Sequence, residues 1–407
     1  MPFNEVFISS LWFTFNTITH NAVYWVPVIL VYTLYHLWYR YIRSYYLKEK
    51  NPWVNLEIKL PKIISKSPKA MEVALGIFHQ GFEGTWLTRF TEGIVRSWFS
   101  LELISVEGKI RFIIRVPKFF KNLVQSHLYS QYPEIEIYEV EDYTREVAYG
   151  DPKAKWSFWG VEFGLEKPDA YPIKTYIDYG LDKDPKEEFK VDPMTPVIEY
   201  LGSVGANEQV WIQILIMKTK DRFPILGKWF DKQDWRKDSQ ALVDKLMNRD
   251  KSKEEGANFG ALMLSPGQRE VVEAVERSVS KLGFDCGIRA VYLARDGKFN
   301  VYNQVGLMSA LKQFGSLHLN GFKPGLKTSF DFPWQDPFGW RLAKRKREMF
   351  EAYVRRGYFY PPVQKKPFVL NAEELATIYH FPGEVAKTPS LGHIESKRGE
   401  PPTNLPI

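Results

Sequence analysis

The pattern of apolar and charged positions is most one-sided close to the N-terminus. Residues 6–39 contain no Asp, Glu, Lys or Arg, and residues 22–39 are almost wholly apolar or aromatic. A helix needs about 20 such residues to cross the hydrocarbon layer of a bilayer. The pattern therefore predicts a membrane anchor within residues 1–50, with a buried core helix as the alternative. The residues that we assign to this anchor and its flanks are Trp25, Pro27, Ile29, Leu30, Trp38, Arg40 and Arg43.

The charges that flank this apolar stretch predict its orientation. Only Glu5 precedes it, whereas four cations follow it within residues 40–50. Because cationic flanks tend to stay on the cytoplasmic side, we expect a single-pass protein of the cytoplasmic membrane whose soluble part lies in the cytoplasm. Residues 6–18 mix Ser, Thr and Asn with apolar side chains, which favours an interfacial helix over a second crossing.

Alternating apolar and polar residues predict an α+β domain over residues 51–143. Residues 54–60 alternate with period two, as in a half-buried strand. An amphipathic helix, a hairpin with its turn at Glu107 and Gly108, a second helix and a strand at 135–140 follow in that order. The order β-α-β-β-α-β is typical of the ferredoxin-like arrangement.

A second α+β unit is predicted over residues 153–313, after a charged boundary that contains Pro and Gly. Its clearest helix starts at Ser265, where Pro266 takes the first position and Gln268 completes a capping box. This unit would be a diverged repeat of the first. The segments assigned as strands are 155–165, 173–179, 210–216 and 288–294, and those assigned as helices are 193–204, 233–248 and 265–282.

The composition changes beyond residue 314, where Gly and Pro interrupt the periodicity. Residues 314–367 hold a basic helix and a Pro-rich segment, whereas residues 368–407 contain one short helix and are assigned as a linker and docking tail. The predicted fold class is therefore α+β, with an N-terminal transmembrane helix, two ferredoxin-like α+β sandwich domains and an extended C-terminal linker.

The basic helix carries a run of cations between aromatic and apolar neighbours. Three interpretations stay open: a solvated helix face, an amphipathic helix at an anionic leaflet, where each cation gains on the order of 1 kcal/mol, and a salt-sensitive nucleic-acid contact. The residues of this basic patch are Arg341, Lys344, Arg345, Lys346 and Arg347.

Composition adds little to this picture. A net charge of +7 and a pI near 9.0 suit an anionic partner. Net charge alone, however, indicates only non-specific association and no particular partner. Cys286 is the single cysteine, so the chain cannot form an intramolecular disulfide.

No stretch of the sequence indicates catalysis. Residues 321–328, GFKPGLKT, lack the spacing of a nucleoside-triphosphate loop, which needs four residues between its glycines and Lys directly after the second. The seven histidines contain no pair at metal-ligand spacing, and no G-x-S-x-G motif occurs. We therefore expect neither a catalytic residue, a metal nor a cofactor.

Two stretches resemble a known group of proteins. Residues 100–143, SLELISVEGKIRFIIRVPKFFKNLVQSHLYSQYPEIEIYEVEDY, and residues 368–407, FVLNAEELATIYHFPGEVAKTPSLGHIESKRGEPPTNLPI, look like the membrane-anchored N-terminal region of bacterial conjugative, type IV secretion-type DNA-transfer ATPases, which are coupling-protein-like. In that family a segment like 371–382 leads into the P-loop ATPase core. This sequence contains no Walker motif, so no catalytic residue can be carried over.

The resemblance implies a non-catalytic, membrane-anchored adaptor that works with a separate P-loop ATPase. Contact with nucleic acid and assembly of several copies of this chain stay open, the second by analogy with hexameric motors. The alternative function is a membrane-surface scaffold that binds anionic lipid through the basic helix. The residues that the resemblance assigns to partner docking are Glu373, Glu374, Leu375, Tyr379, Phe381 and Pro382.

Overall fold

The computed structural model describes residues 3–61, 64, 66–79, 84–150, 155–182, 191–219, 224–225, 228–232, 234–247, 264–295, 297–383 and 393–394. The chain divides into two compact units. We call Met1–Pro52 with Phe82–Arg96 the anchor unit, and Trp53–Gly81 with Ser97–Ile407 the sheet unit.

The structure contains most of the helices and strands that the patterns predict, together with others that they do not predict, such as helices at Trp86–Thr91 and Val301–Ser309 and a strand at Phe322–Lys327. The helices are α1 (Phe3–His20), α2 (Ala22–Tyr45), α3 (Pro68–Leu75), α4 (Trp86–Thr91), α5 (Lys121–Gln131), α6 (Thr195–Gly202), α7 (Trp235–Leu246), α8 (Pro266–Val279), α9 (Val301–Ser309), α10 (Trp340–Val354) and α11 (Ala372–Ile378). The strands are β1 (Trp53–Pro61), β2 (Phe99–Val106), β3 (Lys109–Pro117), β4 (Glu136–Val140), β5 (Trp156–Leu165), β6 (Glu208–Lys218), β7 (Pro224–Ile225), β8 (Lys228–Lys232), β9 (Gly283–Arg295), β10 (Phe322–Lys327), β11 (Phe359–Tyr360), β12 (Val363–Gln364), β13 (Phe368–Asn371) and β14 (His393–Ile394).

One large sheet dominates the sheet unit. Among the described residues it has ten strands, with the central order β10-β5-β9-β6-β2-β3-β1. Strand β4 pairs with β1, and all these neighbours are antiparallel. Only β14 runs parallel to its partner, β1. This sheet and its helices confirm the predicted α+β class, whereas the ferredoxin-like sandwiches stay a prediction.

The two predicted soluble domains contribute to the same sheet. Residues 51–143 supply the order β4-β1-β3-β2, and residues 153–313 supply β5, β9 and β6, which β10 extends outward. The two sets meet where β2 pairs with β6, from Phe99 opposite Ile216 to Val106 opposite Gln209. The sheet is therefore continuous across the predicted domain boundary.

Both faces of this sheet are covered, which explains why its central strands are apolar almost throughout. One face packs against helices α3, α5, α6 and α11, through side chains such as Met71, Val124 and Leu375. On the other face Met349 and Tyr353 of α10 pack with Trp211 and other aromatic and aliphatic side chains of the strands. Strand β9 is buried along its length except at its last residue.

The C-terminal stretch differs from the extended linker expected for residues 368–407. Strand β13 pairs with β9, from Phe368 opposite Cys286 to Asn371 opposite Gly283. All seven residues of α11 are buried. The linker prediction is thus wrong over 368–383, because strand pairing and apolar burial draw this stretch into the core. Residues 384–392 and 395–407 of the predicted tail lie outside the described residues.

Local signals were right where side chains cap a helix and wrong at one turn. The capping box of α8 is confirmed: Ser265 Oγ accepts the Gln268 N–H at 3.3 Å, and Gln268 Oε1 accepts the Ser265 N–H at 3.0 Å. The strand predicted over 173–179 is instead a single β-bridge, from Ile173 to Asn320, followed by a turn over 176–180. The Asp178 carboxylate accepts the Thr175 N–H at 2.8 Å and holds the chain in that turn.

Candidate functional site

Helix α2 has the properties of a membrane-spanning helix. The continuous helix Ala22–Lys50, whose last turn is a π-helix, is long and apolar enough by length and composition to cross a bilayer. Every residue of α2 is described and none is buried, so the core-helix alternative does not fit. Ile29 and Leu30 are each 55% exposed, and Pro27 lies inside the helix without ending it.

Aromatic side chains surround the basic end of α2. The Trp38 indole N–H donates to the Phe90 carbonyl of α4 at 3.0 Å, and the rings of Tyr35 and Phe90 stack with centroids 5.8 Å apart. Arg43 places its guanidinium 4.2 Å from the Tyr39 ring centroid, and Arg40 is exposed. Trp and Tyr prefer the headgroup region of a bilayer. This end of α2 is therefore the expected level of the membrane surface, and Trp25 lies near the other end.

A glycine lets the segment after α4 approach α2 closely. Gly93 has a φ of +71°, and a Cβ at this position would lie 2.4 Å from the Ile42 carbonyl oxygen. Any side chain would therefore both strain the backbone and push this segment away from α2.

The stretch predicted as interfacial is helical as α1. The hydroxyls of Thr17 and Thr19 donate to the carbonyls of Phe13 and Phe15, at 2.7 and 3.0 Å. Satisfying hydroxyls within the helix lowers the cost of placing them in lipid. The position of α1 at the membrane interface, rather than across the bilayer, stays a prediction.

The basic patch divides between two surroundings. Arg345 donates from Nη1 to the Lys327 carbonyl at 3.2 Å and covers the Phe330 ring at 4.2 Å. Lys346 is half-buried, and burial lowers the pKa of its ammonium. Arg341, Lys344 and Arg347 are exposed at intervals of three on the first two turns of α10.

Four exposed aromatic side chains accompany these cations. Phe332 stacks on Trp334 with centroids 4.6 Å apart, and Phe338 lies 5.7 Å from Trp340. Trp334, Phe338 and Trp340 are each more than 70% exposed. We call the set the aromatic-basic surface; its members are Phe332, Trp334, Phe338, Trp340, Arg341, Lys344 and Arg347. The sequence pattern did not single out these rings as part of a site, although four of the nine residues in FPWQDPFGW at 332–340 are aromatic.

The far end of α10 leads into a buried ion network. Arg356 Nε donates to Glu102 at 2.9 Å, and its Nη1 donates to Asp142 at 2.6 Å. Arg115 also binds Asp142, at 2.7 Å, and the Tyr143 hydroxyl donates to Glu102 at 2.8 Å. Arg356 has a φ of +49°, outside the region that most residues adopt.

The cations of this network decide the ionisation of its carboxyls. Burial alone would raise the pKa of Glu102, but the charge and hydrogen bonds of Arg356 lower it below its usual range. Burial likewise opposes ionisation of Asp142, yet Arg356 and Arg115 lower its pKa to about 2. Both groups are therefore carboxylates at neutral pH.

Strand register extends this polar network across the sheet. Glu162 lies opposite Arg289, Arg289 opposite Gln213, and Gln213 opposite Glu102, so the four side chains share one face of β5, β9, β6 and β2. Arg289 Nη2 donates to the Gly357 carbonyl at 2.7 Å, whereas its Nε and Nη1 have no hydrogen-bond partner among the described residues. The sequence does not indicate this row, because strand register brings together residues from four separate segments of the chain.

The two glutamates predicted for docking bind to other residues of the sheet unit. Glu373 Oε1 accepts the Thr175 hydroxyl at 2.6 Å and Arg277 Nε at 3.0 Å. Glu374 accepts the backbone N–H groups of Ile173 and Asn371, at 2.8 and 2.7 Å, although burial raises its pKa to about 8. Neither carboxyl faces solvent.

The other predicted docking residues are buried as well. Leu375 and Tyr379 are fully buried, and the Tyr379 hydroxyl donates to the Ile113 carbonyl at 3.3 Å. The ring of Phe381 lies 5.4 Å from that of Phe112, and Pro382 is buried beside it. The assignment of these six side chains to partner docking is corrected: they complete the core and are not available to a partner.

Three sequence features that were considered for chemistry can be located in the structure. No group of three or more His, Cys, Asp or Glu side chains in the described ranges could hold a metal ion. Cys286 is fully buried in β9. Most of residues 321–328 form β10, whose backbone pairs with β5 rather than curling around a phosphate.

Part of the chain matches the model of a known protein family. Residues 46–316 match the family model described as Domain of unknown function (DUF8128). The match starts in the π-helical turn after α2 and ends before the aromatic-basic surface and β13. No curated protein matches the chain.

Proposed function

This chain belongs to the DUF8128 family, and we propose that it is a non-catalytic, membrane-anchored adaptor of a type IV secretion or conjugative DNA-transfer apparatus. It would work with a separate P-loop DNA-translocating ATPase. The observation that carries the proposal is the exposed apolar helix α2, which is followed at Trp53 by a large folded α+β unit. We name a DNA-transfer apparatus because residues 100–143 and 368–407 resemble coupling-protein-like ATPases.

The membrane part of the proposal is a single crossing by α2 with the sheet unit in the cytoplasm. The cations at Arg40, Arg43, Lys48 and Lys50 support this orientation. Ile29→Arg should release the chain from the membrane, since a charge at the helix centre costs about 2.5–3.5 kcal/mol. Tyr41→Arg, beside Arg40, is the matched control.

Carbonate extraction and protease accessibility in spheroplasts measure both points. We expect the unmodified chain and Tyr41→Arg to resist extraction and to keep the sheet unit protected from external protease. A sheet unit that is digested from outside would contradict the orientation, and extraction of the unmodified chain would contradict the anchor.

We also infer that the sheet consists of two ferredoxin-like halves joined edge to edge. The orders β4-β1-β3-β2 and β10-β5-β9-β6 support this interpretation, because each half has the strand order 4-1-3-2 of such a domain, with helices α3 and α5 or α6 and α9 as connections. The halves would meet through equivalent strands, β2 and β6. Such a platform suits an adaptor, since it presents a broad rigid surface.

The ATPase partner is tested by recovery in mild detergent. Affinity purification of the full chain, from cells that express its neighbouring genes, should recover a P-loop ATPase. A chain ending at Gly383 keeps residues 368–383 in the sheet unit, loses the two-residue strand β14, and tests the docking prediction for the remaining tail. Loss of the ATPase from that shorter chain, which should still unfold cooperatively and fractionate with membranes, would support tail docking. Recovery of no P-loop ATPase with the intact membrane-bound chain would contradict the adaptor proposal.

A further inference from the structure

We propose that the aromatic-basic surface is a second membrane contact, which binds the headgroup region of an anionic bilayer. It acts in addition to helix α2. The inference rests on the membrane anchor of the proposed function but not on the ATPase partner. The ligand class is anionic phospholipid of the leaflet that the sheet unit faces.

The aromatic residues carry the first part of the argument. Trp334 is 72% exposed, Phe338 79% and Trp340 78%, and all three lie within seven positions of one another. Clusters of exposed large apolar side chains mark interaction sites, since isolated exposure is common but grouped exposure is not. Indole rings are enriched at the level of lipid headgroups, where an apolar ring and a polar N–H both find partners.

The local backbone presents these rings in a fixed arrangement. The Asp336 carboxylate accepts the Leu342 N–H at 2.7 Å, at the start of α10, and Arg341 Nη1 donates to the Gln335 carbonyl at 3.2 Å. Arg345, on the less exposed side of the helix, donates a hydrogen bond to the Lys327 carbonyl. A surface that is already ordered loses less conformational entropy when it binds.

The cations supply the preference for an anionic surface. Arg341, Lys344 and Arg347 share the exposed side of the helix, and the one acid within residues 332–347 is Asp336, whose carboxylate accepts the Leu342 N–H. The nearest exposed acid on the helix is Glu348, 3.8 Å from Lys344. Each basic residue near an anionic leaflet raises the affinity about fivefold, so three cations make binding strongly dependent on lipid charge.

A bilayer fits this surface better than nucleic acid does. A single-strand binding platform offers separate ring faces to successive bases, whereas these rings pack in two pairs, Phe332 with Trp334 and Phe338 with Trp340. The chain also carries its own apolar helix. Because α2 and the aromatic-basic surface belong to one chain, a bilayer that holds α2 is present at high effective concentration for this surface, which favours even a weak second contact.

The full chain in lipid nanodiscs tests the proposal. Phe338→Cys labelled with an environment-sensitive fluorophore reports contact with lipids that carry a quencher in the headgroup region. Tyr302→Cys is the matched control, because Tyr302 is an 83% exposed aromatic residue of the same unit. The native Cys286 is fully buried and does not compete for the label.

We expect severalfold stronger quenching at position 338 than at 302 in discs with anionic lipid, and a clear loss of that quenching in zwitterionic discs. The combined change of Arg341→Glu, Lys344→Glu and Arg347→Glu should reduce it to the level of the control. Replacing Arg341 and Arg347 by Lys should preserve it. Thermal unfolding of each variant shows whether the sheet unit stays intact.

Equal quenching at 338 and 302 in anionic discs would overturn the proposal while leaving the anchor and the ATPase partner untouched. Quenching that does not depend on lipid charge would overturn the anionic assignment. A label at 338 that responds to single-stranded DNA and not to lipid would show that the surface is a nucleic-acid contact instead.

Discussion

The two ends of helix α10 bear the same kinds of side chain in opposite surroundings. At the first end, Trp340 and Lys344 point into solvent; at the second, Tyr353 and, two residues past the helix, Arg356 are buried against the sheet. Arg356 reaches Glu102 and Asp142, whereas Lys344 has the exposed Glu348 beside it at 3.8 Å. The buried carboxylates of Glu102 on β2 and of Asp142 just after β4, rather than residue type, decide which cation becomes part of the core.

This difference separates stability from binding along a single helix. The buried end holds a fixed ion network over the β2-β6 seam, because Glu102 and Gln213 lie opposite each other there and Gln213 donates to Glu102 at 3.1 Å. The exposed end makes few contacts with its own unit. Changes at the two ends should therefore affect different measurements.

The largest effect is expected from Arg356→Ala. Removing this guanidinium leaves the carboxylate of Glu102 buried without its main cation, which costs about 3–5 kcal/mol of unfolding free energy. Urea denaturation of the full chain in detergent, followed by tryptophan fluorescence, measures the loss. Arg341→Ala at the exposed end is the matched control and should stay within about 0.5 kcal/mol. Equal losses for the two variants would remove the distinction between the two ends.

Met349→Ala should come next in size. Met349 is 3% exposed and packs between α10 and the sheet, close to Gly160, where a Cβ would lie 2.5 Å from its Sδ. Emptying this position costs about 2–5 kcal/mol, read from the same denaturation curves. The space left by the shorter side chain should accept the extra methyl group of Gly160→Ala. The double variant should therefore lose less unfolding free energy than the sum of the losses of the two single variants. Strict additivity would contradict direct packing of the two residues.

Acid should weaken the buried end selectively. The folded-state pKa of Asp142 is about 2, below its ordinary value of 3.8. Its ionised form therefore stabilises the fold fully above pH 4, and this contribution of about 2 kcal/mol is lost as the pH falls toward 2. Glu102, whose pKa is also lowered, acts in the same direction. Unfolding free energies measured between pH 5 and pH 2.5 should fall more steeply in the native chain than in Asp142→Asn.

The smallest effect is expected from the exposed pair Lys344 and Glu348. Both side chains are more than half exposed, and such pairs contribute about 0–1 kcal/mol. A double-mutant cycle with Lys344→Ala and Glu348→Ala should give a coupling energy near the low end of this range that vanishes at high salt. A coupling above about 1 kcal/mol would show that the exposed end also has a structural role.

The sequence revealed local elements better than long-range ones. The hairpin turn at Glu107 and Gly108 and the capping box at Ser265 follow from backbone and side-chain chemistry within a few residues. By contrast, the turn at Thr175 is held partly by Glu373, nearly two hundred positions later, through a 2.6 Å hydrogen bond. No periodicity in residues 173–179 could indicate such a partner.

The docking prediction failed for the same physical reason. The resemblance assigned Glu373 and Glu374 to partner docking, and carboxylates are rarely buried without partners. Their partners, Arg277 and the backbone amide of Ile173, come from distant elements that only the fold brings together. The basic patch was located correctly in a helix, yet its division into buried and exposed cations depended on Lys327 and Phe330.

The long sequence separation of β2 and β6 also delays their pairing while the chain is being synthesised. Strand β2 ends at Val106, and its neighbour β6 starts only at Glu208. At roughly 5–20 residues per second, the ribosome leaves the β2 edge without its neighbour for on the order of ten seconds. An apolar strand with an open edge is a template for pairing between chains. The nascent chain, rather than the finished sheet, is therefore the state in which this protein is most exposed to aggregation.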